Sequence, residues 1–292
     1  MTRQDRPRRS VLYVPASNAK AIAKLPGLAC DAVIFDLEDS VAPAEKDAAR
    51  EALRNYFANA PQQRQERIIR INALSSEWGT EDLLAACACR PDAILIPKVN
   101  VARDIQDVDD ALDDVDADIR IWAMIETPKA ILNLGHLAEF GRDRAARVTA
   151  FVAGTNDLAK EIGVLATPDR RYIAPYLAQI VVAGRAGGLD VIDGPCNDFR
   201  DLDAFSRECM ESAAMGFDGK TLIHPAQIEA ANKAFSPSAE AVGEAKKVQA
   251  AFALPENAGK GVISIDGRMV ERLHLAQAER LLARANVTGD RP

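Results

Sequence analysis

The sequence predicts a (β/α)8 barrel that carries a C-terminal helical lid or arm, on three observations. Eight short apolar runs recur along the chain, and helical segments alternate with them across roughly 220 residues. No run opens into a glycine-rich dinucleotide fingerprint: the first exits through Pro15-Ala-Ser-Asn18 rather than GxGxxG, which argues against a doubly wound open sheet. The expected division is a barrel over residues 1–234 and a helical extension over 235–292.

Residues 11–15 form the first β-rich run, and Ser17 to Leu28 has helical spacing. Ala32 to Asp39 is the second run, followed by Pro43 and a charged amphipathic segment to about Asn59. Arg67 to Asn72 leads to a helix from about Glu77 to Cys89, and Ala93 to Val99 leads to one across Ala102 to Val115. The fifth run, Arg120 to Glu126, ends on Thr127-Pro128, a pair suited to a helix start. Val148 to Gly154 opens onto Thr155–Gly163, and a longer helix is expected from Pro168 to Ala186. Leu189 to Pro195 and Gly219 to Ile223 complete the eight. Beyond them a helical stretch follows Phe235-Ser-Pro-Ser238, and a last segment runs from Gly259 to Ala285. That surplus is too small for a second domain and suits a lid or an arm onto a neighbouring subunit.

Composition bounds the function. The chain has 292 residues, 48% hydrophobic and 27% charged, enough to bury a large core. Its net charge of −7 is spread along the sequence, which argues for solubility and against nucleic acid as the main partner. No run approaches the length needed to cross a bilayer, and the polar N-terminal arm lacks an apolar signal region, so a cytoplasmic protein is expected. The five cysteines include no CxxC pair, which points to reduced thiols rather than disulfides or zinc.

In a barrel the carboxyl ends of the strands converge on one mouth. Taken in strand order they supply Tyr13; Asp36, Glu38 and Asp39; Arg70 and Asn72; Lys98; Glu126; Asn156 and Asp157; Asp193; and Lys220 with His224 just beyond. Acids outnumber bases there. So many carboxylates in a low-dielectric cleft repel one another without a cation. With oxygen ligands and only three histidines in the chain, Mg2+ is the natural candidate.

These residues also stand in motifs. Leu12-Tyr-Val-Pro15, Phe35-Asp-Leu-Glu-Asp-Ser-Val41, Arg70-Ile-Asn72, Ile96-Pro-Lys-Val99, Ile125-Glu-Thr127, Gly154-Thr-Asn-Asp157, Asp193-Gly-Pro195, Asp198-Phe-Arg-Asp201 and Ile223-His-Pro225 occur in fixed order. In this the chain resembles, nearly end to end, the citrate lyase β-subunit-like proteins of the HpcH/HpaI aldolase superfamily. The likeness extends to the malyl-CoA, β-methylmalyl-CoA and mitochondrial citramalyl-CoA lyases. The resemblance implies a Mg2+-dependent barrel, commonly a homotrimer or hexamer with the lid exchanged between subunits. Such a barrel makes or breaks the C–C bond β to a CoA thioester.

Matched motif by motif, Glu126 and Asp157 correspond to the two carboxylates that hold Mg2+ together with the oxygens of a 2-oxo acid. The lesser alternative for Asp157, near a helix start, is that it caps the helix. Arg70 corresponds to the substrate-binding arginine, able to hold a carboxylate in two-point contact. Glu38 and Asp39 stand between a water-mediated role near the metal and a charge network, in which Lys98 is expected to take part. His224, before Pro225, reads as structural. Tyr13 and Lys24 correspond to the CoA-binding region at the exit of the first strand. The stretch Gly267-Arg-Met-Val-Glu271 aligns with a motif that ends in aspartate in many lyases, so Glu271 is the expected proton-exchanging acid, supplied by a neighbouring subunit and longer by one methylene.

The reaction implied is retro-Claisen cleavage of a 3-hydroxyacyl-CoA such as malyl-, citramalyl- or citryl-CoA. Attack of water on the thioester at the same site makes a thioesterase. A CoA-independent 2-oxo acid aldolase and an assembly subunit that binds a carrier protein are the remaining alternatives.

Overall fold

The computed structural model describes residues 6–59, 64–115, 117–143 and 145–289. Eight parallel strands close into a barrel in sequence order: β1 (Ser10–Pro15), β2 (Ala32–Asp36), β3 (Glu66–Arg70), β4 (Ala93–Ile96), β5 (Arg120–Ile125), β6 (Val148–Ala153), β7 (Asp190–Asp193) and β8 (Gly219–Leu222), with β8 pairing back to β1. The (β/α)8 barrel expected from the alternation is the fold. Each run predicted to be a strand contains one, and all but the first are trimmed at the exit where the chain turns into the loop.

Side chains alternate along a strand, and this parity separates barrel interior from helix layer. Val11, Ala32, Ile34, Ile68, Ala93, Leu95, Trp122, Met124, Ala150, Val152 and Ile192 pack together as the interior core, with Tyr13 against them. Two residues beyond Ile34, Ile68 and Met124 come Asp36, Arg70 and Glu126. The same alternation that buries the core therefore delivers these three to the inside of the mouth.

The outer helices are α1 (Ala19–Ile22), α2 (Lys46–Asn59), α3 (Gly79–Cys89), α4 (Ala102–Leu112), α5 (Pro128–Glu139), α6 (Thr155–Ile162), α7 (Ala174–Gly187), α8 (Leu202–Met215) and α9 (Ile228–Ala234). Thr127 caps α5, its Oγ1 accepting from the Ala130 N–H at 3.0 Å, and Pro128 occupies the first turn, where no donor is needed. Two segments differ from the sequence expectation. Ser17–Leu28 holds only the four-residue α1 and a 3-10 turn at Leu25–Gly27, because Pro26 and Gly27 stop the helix. The helix expected from Pro168 starts at Ala174 instead, after a turn in which Arg170 takes a φ of 53°.

Parity also corrects the list of mouth residues. Asp193 neighbours the inward Ile192 and so faces the helices, where it is fully buried in an ionic cluster. Arg170 grips it through Nη1 and Nη2 at 2.7 and 2.6 Å, Ser212 Oγ donates to it at 2.7 Å, and Lys220 Nζ donates at 2.6 Å. Lys220 Nζ also reaches the Gly194 carbonyl at 2.6 Å and Glu208 at 2.7 Å. Burial works against the Asp193 charge, but Lys220 and Arg170 outweigh it and hold the carboxyl far below the usual range. Asn72 has the parity of Arg70 but lies past the end of β3, and it leaves the mouth because it binds Lys46, the Leu37 carbonyl and Asp82, tying the β2 and β3 exits together.

The chain divides into two compact units, one spanning Arg8–Ala234 and the other beginning at Phe235. In the second, α10 (Ala239–Ala253) packs on α11 (Arg272–Gly289) through Ala245, Ala278 and Leu282. Between them stands a β-hairpin, β9 (Val262–Ile265) and β10 (Arg268–Glu271), turning at Asp266-Gly267 with φ of 51° and 77°. The extension is thus not wholly helical. An Asp-Gly pair with both residues left-handed is the two-residue turn that matches strand twist. Among the described residues no helix is long and apolar enough to cross a membrane.

Asp193→Asn removes the shared counter-charge of a buried lysine and arginine. It is expected to cost about 3–5 kcal/mol, read as a lower urea midpoint at unchanged slope.

Candidate active site

The barrel mouth encloses a cavity of about 360 Å3, lined among others by Tyr13, Asp36, Asp39, Arg70, Met124, Glu126, Gly154, Asp157 and Ile223. It brings together residues from strands far apart in sequence. Arg70 is its cationic centre. Its Cα stands opposite that of Asp36 in the β2–β3 register. Nε donates to Asp36 Oδ1 at 2.6 Å and Nη2 to Oδ2 at 2.7 Å, a two-point clamp. Asp36 is fixed in turn by Ser40 Oγ and by the Ser40 and Glu38 N–H groups. Burial alone would raise the Asp36 carboxyl, yet Arg70 and these donors keep it below the ordinary value. The guanidinium lies 4.9 Å from the centroid of the Tyr13 ring, so Tyr13 forms the floor under Arg70.

Glu126 is only 2% exposed. Its Oε1 accepts from the Lys98 N–H at 2.7 Å. Lys98 makes this bond by adopting a left-handed φ of 51°, a conformation uncommon outside glycine and one that functional sites favour. Gly154 faces the other side of the carboxylate: a Cβ there would stand 2.4 Å from Glu126 Cβ and 2.5 Å from Oε2. Only glycine leaves room. Burial, then the charges of Glu38 and Asp157, push the Glu126 carboxyl up to about 8.

Asp157 sits in the first turn of α6, half-buried and lining the cavity. It does not cap that helix, whose cap position is Gly154 and carries no side-chain bond. Among the described residues no cluster of three or more His, Cys, Asp or Glu is arranged to hold a metal. Two carboxylates are nonetheless a fitting donor set for a hard divalent ion that keeps its other positions for water and ligand oxygens. The snug Gly154 cradle and the raised Glu126 carboxyl both fit that role.

Glu38 is buried, bound through Oε1 to Lys98 Nζ at 2.7 Å, and its carboxyl is raised by burial despite Arg70 and Lys98. Asp39 stays largely solvated, 3.5 Å from Arg70 Nη1. Lys24 lies exposed at the end of α1 and Lys98 beside the cavity; neither lines it. His224 caps a 3-10 turn by accepting from the Ala226 N–H and stacks on Phe199 at 4.6 Å, a structural part as expected. Glu271 ends β10, its N–H donating to His274 Nδ1 at 2.9 Å. Among the described residues no ion pair holds its carboxylate, and Arg272 instead binds the Lys260 carbonyl. The sequence reading passed over two working residues, Asp36 as the clamp of Arg70 and Gly154 as the cradle of Glu126. Strand parity was the available signal for the first, and a glycine closing a strand beside an acid for the second.

A closed parallel barrel with an arginine and two carboxylates at its C-terminal mouth fits an enzyme of the aldolase and CoA-ester lyase class. The chain belongs to the HpcH/HpaI aldolase/citrate lyase family, which it matches over residues 9–225, and within it to the citrate lyase β-like carbon–carbon lyases. It is 46% identical to a (3S)-malyl-CoA thioesterase of Cereibacter sphaeroides over 98% of this chain and 97% of that one. It is 33% identical to the mitochondrial citramalyl-CoA lyase of Rattus norvegicus, covering 96% and 86%. Among solved structures it resembles CitE of Mycobacterium tuberculosis in complex with magnesium, acetoacetate and coenzyme A, with a TM-score of 0.76, 28% identity and coverage of 97% and 99%.

Gly154→Ala is expected to displace the Glu126 carboxylate and weaken divalent-cation binding about 10–100-fold. Calorimetric titration with Mg2+ on folded protein measures it.

Proposed function

We propose that the protein hydrolyses the thioester of a malyl-CoA-type substrate, with Mg2+ held by Glu126 and Asp157. The observation that carries this reading is the end-to-end 46% identity with (3S)-malyl-CoA thioesterase. The site supports it by offering what the malyl half requires, an arginine for its carboxylate and a carboxylate pair beside it. The magnesium in the CitE complex supports the choice of ion.

Bound there, Mg2+ supplies Lewis-acid polarisation and a template for ligand oxygens. The rest is done by the chain. Arg70, backed by Tyr13 and clamped by Asp36, presents its remaining N–H groups to the malyl carboxylate. The Lys98 N–H and Gly154 fix Glu126 so that one oxygen is committed to the protein and the other is free for the ion. Lys24 provides a solvent-side cation for the phosphates of CoA, and Tyr13 an aromatic wall. Glu271, supplied by a neighbouring subunit of a trimer or hexamer, takes a proton from water as that water attacks the thioester carbon. The C–O bond forms, the C–S bond breaks, and the departing CoA sulfur receives the proton that Glu271 took up, giving malate and free CoA and restoring the carboxylate. The extra methylene of glutamate moves this carboxylate relative to an aspartate, and its position decides which atom it exchanges a proton with.

The likeness to citramalyl-CoA lyase favours a second reading on the same residues. In it the substrate hydroxyl loses its proton as the C–C bond breaks to a 2-oxo acid, and Glu271 protonates the acyl-CoA enolate.

Malyl-CoA turnover with Mg2+ distinguishes them when free thiol and oxo acid are followed separately. The expected outcome is free CoA without glyoxylate, with Glu126→Ala lowering kcat/KM by about 10²–10³-fold. Glyoxylate without free CoA would overturn hydrolysis in favour of the lyase. Glu271→Asp is expected to raise the ratio of glyoxylate to free CoA in the same assay.

A further inference from the structure

Lys46, the first residue of α2, is buried. Its Nζ donates to the Leu37 and Glu38 carbonyls, both at 2.8 Å, and to Asn72 Oδ1 at 3.1 Å, with the Trp78 ring centroid 4.9 Å away. Among the described residues no carboxylate pairs with it. An ammonium held inside a protein by neutral acceptors alone is costly to desolvate. Neither carbonyl needs it in order to be satisfied, since Leu37 O also accepts from Asn72 Nδ2 at 2.8 Å and Glu38 O from the Val41 N–H at 3.2 Å. What the lysine adds is its charge.

That charge acts on one peptide unit. The carbonyl end of the Leu37–Glu38 peptide faces Lys46, and its N–H end donates to Asp36 Oδ1 at 2.9 Å. A cation thus stands at the negative end of the peptide dipole and an anion at the positive end, so each bond strengthens the other. The preceding peptide is fixed as well, the Leu37 N–H donating to the Arg70 carbonyl at 2.9 Å. On its far side Asp36 meets Arg70 Nε and Nη2 at 2.6 and 2.7 Å. The line of contacts from Lys46 to the guanidinium is unbroken. Lys46 itself does not line the cavity.

We propose that Lys46 is a positioning residue: through the Leu37–Glu38 peptide it fixes Asp36, and with it the plane in which Arg70 meets a substrate carboxylate. The proposal rests on the reading of Arg70 as that carboxylate's partner and adds what aims it. Without the ammonium the peptide loses the charge that orients it, its N–H holds Asp36 less firmly, and the two-point clamp on Arg70 loosens.

Binding of (S)-malate to the full chain loaded with Mg2+, measured by calorimetry, tests this without relying on turnover. Lys46→Met keeps the length of the side chain and loses the charge; it is expected to weaken malate at least about tenfold, the scale of one hydrogen bond to a charged group. Mg2+ affinity in the absence of malate is expected to stay as in wild type, whereas a general loosening of the fold would lower both. In an Asp36→Asn background Lys46→Met costs malate nothing further, because the lysine acts through Asp36. Lys46→Ala, purified with n-propylammonium to replace the missing stem and charge, recovers most of the malate affinity, and n-propanol in its place does not. In steady-state assays of malyl-CoA the Lys46→Met effect falls on KM rather than kcat. Wild-type malate affinity in Lys46→Met, a matching loss of Mg2+ affinity, an undiminished effect in the Asp36→Asn background, or no preference for the amine over the alcohol overturns the proposal. If Arg70→Met binds malate as tightly as wild type, it is the reading of Arg70 that fails, and the proposal falls with it.

Discussion

The mouth of this barrel depends on one buried ion pair. Asp36 and Arg70 face each other across adjacent strands, so the sheet itself sets their separation. A buried pair is expensive to desolvate and contributes little stability by itself. What it contributes here is direction. Two points of contact to Asp36 orient a guanidinium that would otherwise have five donors free to choose partners. Tyr13, Glu38 and Lys98 are then arranged around a fixed plane, and the carboxylate of Glu126 lies within the same field of charge.

Much of this was legible from the residues. The alternation of apolar runs and helical segments was enough for the barrel, and the motif order placed Arg70, Glu126 and Asp157 together. The reading failed where it counted residues at strand ends without asking which way each pointed. Asp193 and Lys220 stand at strand positions of the opposite parity from the interior core, and they build an ionic cluster under the helices. Asp36, two beyond Ile34, has the correct parity and proved more important than its place in the list suggested. The hairpin was missed for a different reason. Asp266-Gly267 is a strong turn signal, but the flanking residues alternate weakly and a helix follows at once, so the helical pattern prevailed.

The site also sorts its carboxylates by environment rather than by type. Asp36 is surrounded by donors and stays ionised. Burial drives Glu126 and Glu38 toward the neutral form, aided by the charge of Glu38 on Glu126 and of Asp39 on Glu38. That contrast is how one mouth can hold acids in different protonation environments, one of them set to orient an arginine.

The hairpin in the C-terminal unit bears on how the last acid can vary. Glu271 does not hang from a loop. It ends a strand paired residue by residue with β9, closed by a tight turn and continued directly into α11. Such a mount has no slack to absorb a change in side-chain length. Exchanging glutamate and aspartate there works like altering the length of a pointer on a fixed pivot: the carboxylate moves by one methylene and no backbone needs redesigning.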